Sequence, residues 1–299
     1  MYRYCQVYLF ELHNKIVKRL CTKMYDITGS IVLYENEEEV VKKAINSFLY
    51  TDLNVRLYLI DNSSTDKLKS LRNIDKNRIE YIFNNANLGF GKAHNIAIKK
   101  VIDKSKYHAI INPDMWFEKN TLEKMYFFME KNKNVGLLMP KMLYPDNSVQ
   151  YTARRLPSPL DLIIKRFFPE RLKKWSFIQK RINWYELRNY SYKDIMEVPC
   201  IPGGFMFVRT KVFKEVGLFD ERFFMYLEDF DLSRRIGEKY KTVLFPHAIV
   251  YHEYTMHSYK NKKLLMIHII SAIKYFNKWG WFFDKKRKEK NKEVKIWKE

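Results

Sequence analysis

Cysteine is scarce: Cys5, Cys21 and Cys200 are the only three in 299 residues, an odd number with neither disulfide-framework nor metal-ligand spacing. A disulfide-stapled scaffold and a zinc–thiolate site are excluded, and a reducing, cytoplasmic compartment is favoured. Long apolar runs are missing too. Leu264 to Ile273 is the longest strongly apolar stretch; it contains His268 and is roughly half of the ~20 residues needed to cross a bilayer. The first 23 residues do not resemble a signal peptide, because Tyr2, Arg3, Glu11, His13, Asn14 and Lys15 interrupt any apolar region. Met24 stands just before the first convincing strand, so residues 1–23 read either as an N-terminal extension or as the product of a misassigned start, outside the fold in both cases. Acidic residues are outnumbered 34 to 55 by basic ones. The resulting net charge of +21 points to polyanionic partners: nucleic acid, an anionic membrane face or phosphorylated substrates.

What is present is a chain able to build a large core, with 46% hydrophobic and 16% aromatic residues. Ile27 to Tyr34 reads as a buried strand and Glu37 to Leu49 as a helix with Val40, Val41, Ala44, Ile45 and Phe48 on one face. Val55 to Ile60, Ile79 to Phe83 and Tyr107 to Ile111 are further strands, with a helix at Gly91 to Ile102. This alternation predicts an α/β fold: a Rossmann-like, largely parallel central sheet with helices on both faces, binding its ligand at the carboxyl ends of the strands. Beyond Gly136 the pattern is less regular. Pro157 to Met196 reads as an insertion over the cleft, Val198 to Val208 as a return strand interrupted by Pro202-Gly203-Gly204, and Glu228 to Tyr240 as a helix. The expected organisation is a catalytic domain over 24–258 and, over 259–299, an amphipathic helical segment with a basic tail.

Two acidic clusters about a hundred residues apart carry the chemistry. Asn112-Pro113-Asp114 follows the strand Ala109-Ile110-Ile111, where Asp114 can hold Mg²⁺ or Mn²⁺ against a diphosphate. Leu227-Glu228-Asp229-Phe230-Asp231 opens a helix and offers a carboxylate to take a proton from an attacking hydroxyl. An Asx turn is the plain alternative for the first cluster, and helix-dipole stabilisation for the second. Five acids among seven large apolar residues from Phe219 to Asp231 argue instead for a lined pocket. Asp61, ending its strand in Asp61-Asn62-Ser63-Ser64-Thr65-Asp66, can accept hydrogen bonds from a ribose or a pyrimidine, or can cap a turn together with Asp66. Asn87-Leu88-Gly89-Phe90-Gly91-Lys92-Ala93-His94 turns sharply into a helix whose amide end favours anions, bringing Lys92 and His94 towards a diphosphate. His252 can add a nitrogen ligand for the ion.

In order along the chain, these motifs resemble the inverting glycosyltransferases of family 2, with the GT-A fold, over roughly residues 27–258; the likeness is greatest to the rhamnosyltransferase-like branch that builds bacterial surface polysaccharides. The resemblance implies donor contacts from Tyr34 and Glu35 in the loop after the first strand, and from Asp61, Asn87, Gly89, Lys92, Asn112 and Asp114. It further implies acceptor contacts at Gly203 and Gly204, the Glu228-Asp229 pair as catalytic residues with Asp229 as base, and a metal held by Asp114 and His252, with Ser258 completing the late His motif. Asn112 replaces the first acid of Asp-x-Asp, and His94 stands where many members have arginine. The implied activity is transfer of a hexosyl group, such as rhamnosyl from dTDP-rhamnose, to a glycan or lipid-linked glycan hydroxyl. Two rivals are a sugar-nucleotide pyrophosphorylase, disfavoured by the acidic Tyr34-Glu35-Asn36-Glu37-Glu38-Glu39, and a basic nucleic-acid-binding protein, for which no fingerprint appears, so no nucleic-acid partner is expected. For 264–292, Leu265, Ile269, Ile273 and Phe276 at helical spacing, then Trp279, Trp281, Phe282 and Phe283 beside Lys285-Lys286-Arg287-Lys288, allow two readings: an anchor on the anionic inner membrane face, or a helix packed on the domain with a solvated tail.

Overall fold

The computed structural model describes residues 24–253 and 262–297. The expected N-terminal extension and Ser258 lie outside them. β1 (Tyr25–Leu33), β2 (Val55–Asp61) and β4 (Ser105–Ile111) are apolar runs buried on both sides, as central parallel strands must be. With β3 (Ile79–Phe83) at the edge they pair in the order β3-β2-β1-β4, all parallel, so their carboxyl ends share one rim of the sheet. Alternation along β2 shows what covers the two faces. Val55, Leu57 and Leu59 join the main core with Val41, Ile45 and Phe48 of α1 (Glu38–Leu49), whereas Tyr58 and Ile60 meet Ala93, Ala97 and Val101 of α2 (Phe90–Val101). Phe48 alone, fully buried, stabilises the fold by about 1.5–3 kcal/mol.

Past β4 the sheet becomes mixed. β8 (Phe205–Arg209) runs antiparallel to both β4 and β6 (Val135–Leu143), and β6 pairs in parallel with the long β9 (Lys241–His252). The parallel character expected from the sequence therefore holds for the first half, and the return strand begins at Phe205: Pro202, Gly203 and Gly204 form the loop leading into β8 and do not interrupt a strand. β9 shifts register between Pro140 and Lys141, where Phe245 is followed by Ile249 as the next partner. β5 (Met115–Trp116) folds onto the far end of β9, pairing Met115 with His252. α3 (Thr121–Lys131) connects β5 to β6, and α7 (Thr210–Val216) follows β8.

The stretch 157–196 is helical rather than irregular, with α4 (Pro159–Phe167), α5 (Glu170–Lys173) and α6 (Ser176–Tyr185). Ser158 opens α4 with a capping box to Asp161, and Pro159 occupies the first turn. α8 (Glu228–Gly237) ends three residues short of Tyr240. α9 (Lys262–Trp279) lies on the domain, where Tyr275 and Phe276 pack on Phe223 and Leu227. After it, Asp284 accepts both terminal guanidinium nitrogens of Arg234, at 2.7 and 2.8 Å, in a buried pair. α10 (Lys285–Lys290) follows, and β10 (Lys295–Ile296) joins the sheet through β7 (Met196–Glu197). The boundary expected at residue 258 is thus not a structural one, since residues 295–296 complete the sheet.

Candidate active site

At the rim of the parallel strands, each loop is tied to its neighbour. The Glu35 carboxylate, after β1, accepts hydrogen bonds from the Ser64 N–H at 3.0 Å and hydroxyl at 2.9 Å after β2, which hold its pKa below the usual carboxylate range. Tyr34 beside it is exposed. Asp61 is fully buried: Oδ1 accepts the Ser63 N–H at 2.8 Å and Oδ2 the Tyr81 hydroxyl at 2.5 Å. In this arrangement Asp61 organises the turn, and Glu35 with Ser64 forms its open edge. Asp66, expected as a cap, makes no side-chain cap of the following 3-10 turn at Lys67–Ile74; it meets Lys69 instead.

Gly89 has φ +80°, and a Cβ there would sit 2.0 Å from the Phe224 carbonyl oxygen. Asn62 donates to the Gly89 carbonyl at 3.0 Å, Asn87 accepts the Gly89 N–H at 3.0 Å, and the Phe90 N–H bonds the Phe224 oxygen at 2.9 Å. A left-handed glycine therefore docks the start of α2 against the loop that precedes Glu228. Lys92 is exposed on α2, and its charge is felt by Glu221. His94 is completely buried, its Nδ1 2.7 Å from the Ser30 hydroxyl and its ring edge-on to Phe90 at 4.4 Å, so it cannot touch a diphosphate. Burial, with His108 nearby, keeps it well below the ordinary imidazole pKa.

The β5–β9 pairing decides the geometry around Asp114. It brings the Asp114 Oδ2 to 3.3 Å from Nε2 of His252. Gln150 completes the arrangement, with its Nε2 donating to the His252 carbonyl at 3.0 Å and its Oε1 2.9 Å from the His252 Nδ1. Because the amide nitrogen is committed to a carbonyl, Oε1 must accept, so Nδ1 carries a proton and Nε2 is the ring nitrogen that faces Asp114. A carboxylate oxygen and an imidazole nitrogen at this spacing could together hold a divalent cation, with its other positions left to phosphate oxygens. Among the described residues no group of three or more His, Cys, Asp or Glu side chains is placed to hold a metal ion. Gln150 lies in no motif, and only its spatial position reveals its role.

Asn112 links this seat to the second acidic cluster. Its N–H donates to the Gly204 carbonyl at 2.9 Å, and the Gly203 N–H donates to Asp229 Oδ2 at 2.7 Å. A Cβ on Gly204 would lie 2.7 Å from the Met115 side chain, and one on Gly203 3.2 Å from the Cβ of Asp229. Larger residues would crowd Phe90 and Asp229 at Gly203 and displace the Met115 methyl at Gly204, so the two glycines keep the loop close to both clusters. Tyr226 and Leu227, with φ of 71° and 65°, are both left-handed just before α8, a strain of roughly 1–3 kcal/mol each that turns the first helical residues towards Gly203.

Of the five acids in that stretch, three are structural. Asp220 pairs with Arg222 and Lys278, Glu221 with Lys99 and Asn95, and the fully buried Asp231 with Arg235, Lys278 and the Trp279 indole. Glu228 and Asp229 have no such ion pairs among the described residues. Glu228 is buried with Oε2 lacking any hydrogen-bond partner; burial first, then the charge of Asp229, raises its pKa well above the usual value. Asp229 is half-buried and accepts N–H bonds from Gly203 and, at 2.9 Å, from Phe230. Burial raises its pKa too, and these two bonds oppose the rise. Burial weighs on both, and of the two Asp229 is the more accessible and the better hydrogen-bonded, so it is the better placed to carry the pair's negative charge.

Residues 31–217 match the profile described as glycosyl transferase family 2. The chain belongs to that family. Among relatives, it is 28% identical over 218 residues to the N-acetylglucosaminyl-diphospho-decaprenol L-rhamnosyltransferase of Mycobacterium tuberculosis, covering 68% of each chain. It is 26% identical to the rhamnosyltransferase WbbL of Escherichia coli, over 82% of this chain and 90% of that one. A mannosyltransferase from Pyrobaculum calidifontis, solved with GDP-Man and Mn²⁺, superposes with a TM-score of 0.55 at 13% identity, over 84% of this chain and 65% of that one. The architecture is that of GT-A glycosyltransferases, and this family 2 glycosyltransferase is rhamnosyltransferase-like. Neither the pyrophosphorylase nor the nucleic-acid-binding alternative is favoured by these likenesses.

Proposed function

We propose that this enzyme transfers a hexosyl group, such as rhamnosyl from dTDP-rhamnose, rhamnosyl being the sugar that its two relatives are named for, to a hydroxyl of a glycan or lipid-linked glycan with inversion at the anomeric carbon. The observation that carries the proposal is the glycine loop joining the two clusters: Asp229 is held by Gly203 on one side and Asn112, two residues before Asp114, by Gly204 on the other. The acceptor hydroxyl lies along Gly203-Gly204 and gives its proton to Asp229 while its oxygen attacks the anomeric carbon and the bond to the nucleotide diphosphate breaks. One displacement inverts the configuration, and no protein nucleophile is needed. Glu228, neutral, keeps a second negative charge away from Asp229. Asp114 and His252 would hold Mg²⁺ or Mn²⁺, which when bound offsets the charge that develops on the departing diphosphate. Tyr34, Glu35, Asn87, Gly89 and Lys92 border the donor, with Asp61 holding the nucleoside turn in place.

The test is a thermal-unfolding screen of the full chain against nucleoside diphosphates and nucleotide sugars, with and without Mn²⁺. Stabilisation by a thymidine nucleotide that requires the cation supports the reading. Stabilisation by a different nucleoside diphosphate changes the donor, and no stabilisation by any of them contradicts a nucleotide-sugar site.

A further inference from the structure

Two helices expose apolar stripes side by side. In α4, Leu160, Ile163 and Phe167 recur at i, i+3 and i+7, each about half exposed. In α9, the exposed Met266, Ile270 and Ile273 lie on the face opposite Ser271, Tyr275 and Phe276, which are buried against the domain. α9 is thus apolar on both faces, and its expected stripe splits, with Phe276 turned inward and Ile273 outward. The helices run antiparallel. Leu162 of α4 packs on the Tyr275–Phe276 cluster; burial first, then the charges of Arg166 and Lys165 near the end of α4, lower the pKa of His268 near the start of α9; and Arg287 donates to the carbonyls of Pro157 before α4 and Trp281 after α9. At that shared end stand Phe282 and Phe283, 71% and 98% exposed. An aromatic side chain held entirely in water gains nothing from the fold.

The surroundings of this platform are strongly basic. Residues 262–297 hold eleven Lys and Arg against three Asp and Glu, and residues 158–185 hold seven against two; Lys165, Lys278 and Lys286 pair with carboxylates elsewhere in the domain and Arg287 is buried, whereas Lys174, Lys180, Lys285, Lys288 and Lys292 are exposed. Among the described residues no helix is long and apolar enough to cross a membrane. We propose that the α4–α9 face, with Phe282 and Phe283 at its end, is a docking surface for an anionic lipid bilayer, entering the interface without spanning it. The apolar stripes and the two phenylalanines enter the headgroup boundary while the lysines around them face anionic headgroups. A neutral protein partner would have no use for so one-sided a charge. The proposal stands whether or not the acceptor is lipid-linked.

The test is co-sedimentation of the full chain with phosphatidylcholine vesicles, with and without phosphatidylglycerol. Binding is expected only with phosphatidylglycerol, weakening as salt rises. Phe282→Ser together with Phe283→Ser should lower partitioning at least about tenfold, since two large aromatic side chains lose their insertion, with an unchanged unfolding midpoint because neither is packed in the fold. Ile270→Glu gives a second reading of the same face on α9. Three outcomes overturn the proposal: no binding to anionic vesicles at low salt, binding that the phenylalanine and Ile270 variants leave intact, or a dimer in sedimentation that those variants convert to monomer, which would make the face an interface between copies.

Discussion

Replacing Glu228 by glutamine isolates the electrostatics of the acidic pair. The carboxyl is buried, Oε2 has no partner, and both burial and Asp229 push its pKa up. In the unfolded chain a glutamate titrates near ~4.3, so between that value and the raised native one the folded protein binds the extra proton and the unfolded chain does not. A proton held preferentially by the native state makes unfolding easier as pH rises, with a slope that approaches about 1.4 kcal/mol per pH unit inside that window. The amide of Glu228→Gln cannot titrate. It also brings a buried N–H group with no acceptor, costing about 1–3 kcal/mol. The variant should therefore be the less stable protein at acidic pH and should close the gap, then overtake, as pH rises. Urea unfolding at a series of pH values, with m checked for constancy, measures the difference directly. Parallel curves for the two proteins would show that Glu228 ionises normally in the fold and would refute this account of the pair.

Three further outcomes follow from named contacts. Gln150→Ala frees the His252 ring from its tautomer and should weaken Mn²⁺ binding about 10–100-fold, read by calorimetry in the presence of the nucleotide. Asp114→Ala should remove activity and cation dependence together, with His252→Ala milder; activity indifferent to chelation in the wild type would show that no divalent ion takes part. Asp284→Ala leaves Arg234 charged and buried without its carboxylate, and should cost roughly 3–5 kcal/mol in denaturant unfolding, whereas a surface pair would cost under about 1 kcal/mol.

How far the chain could be read depended on which forces set each element. β1, β2, β3 and β4 were legible to within two residues because strands in a parallel sheet are plain apolar runs. β9 was not: Pro246 and His247 break its pattern, and the structure absorbs them in the register shift opposite Pro140 and Lys141. The helices of 157–196 hid behind aromatic and basic residues, although Ser158-Pro159-Leu160-Asp161 was a readable start signal. At the site, Asp114, His252, Glu228 and Asp229 were visible as motifs, and the structure brings them together as two linked clusters. Gln150 and Tyr81 were not, since their roles depend on contacts across 102 and 20 residues of sequence. His94 misled because a helix start beside glycines suggests a ligand, while the same helix face here builds the core. The acid-rich stretch up to Asp231 looked like a pocket lining, yet three of its five carboxylates are anchors for α2, α8 and α9.

The central claim is that Asp229 takes the proton from the acceptor. Its most direct test is the transfer rate of Asp229→Asn at saturating donor, measured with donor affinity on the same preparation. The amide can still accept the Gly203 and Phe230 N–H bonds through its oxygen but cannot accept the proton, so the rate should fall by ~10²–10⁴-fold while donor affinity stays close to that of the wild type. Turnover near the wild-type rate would contradict the account, since it would show that the acceptor gives its proton to a group other than Asp229.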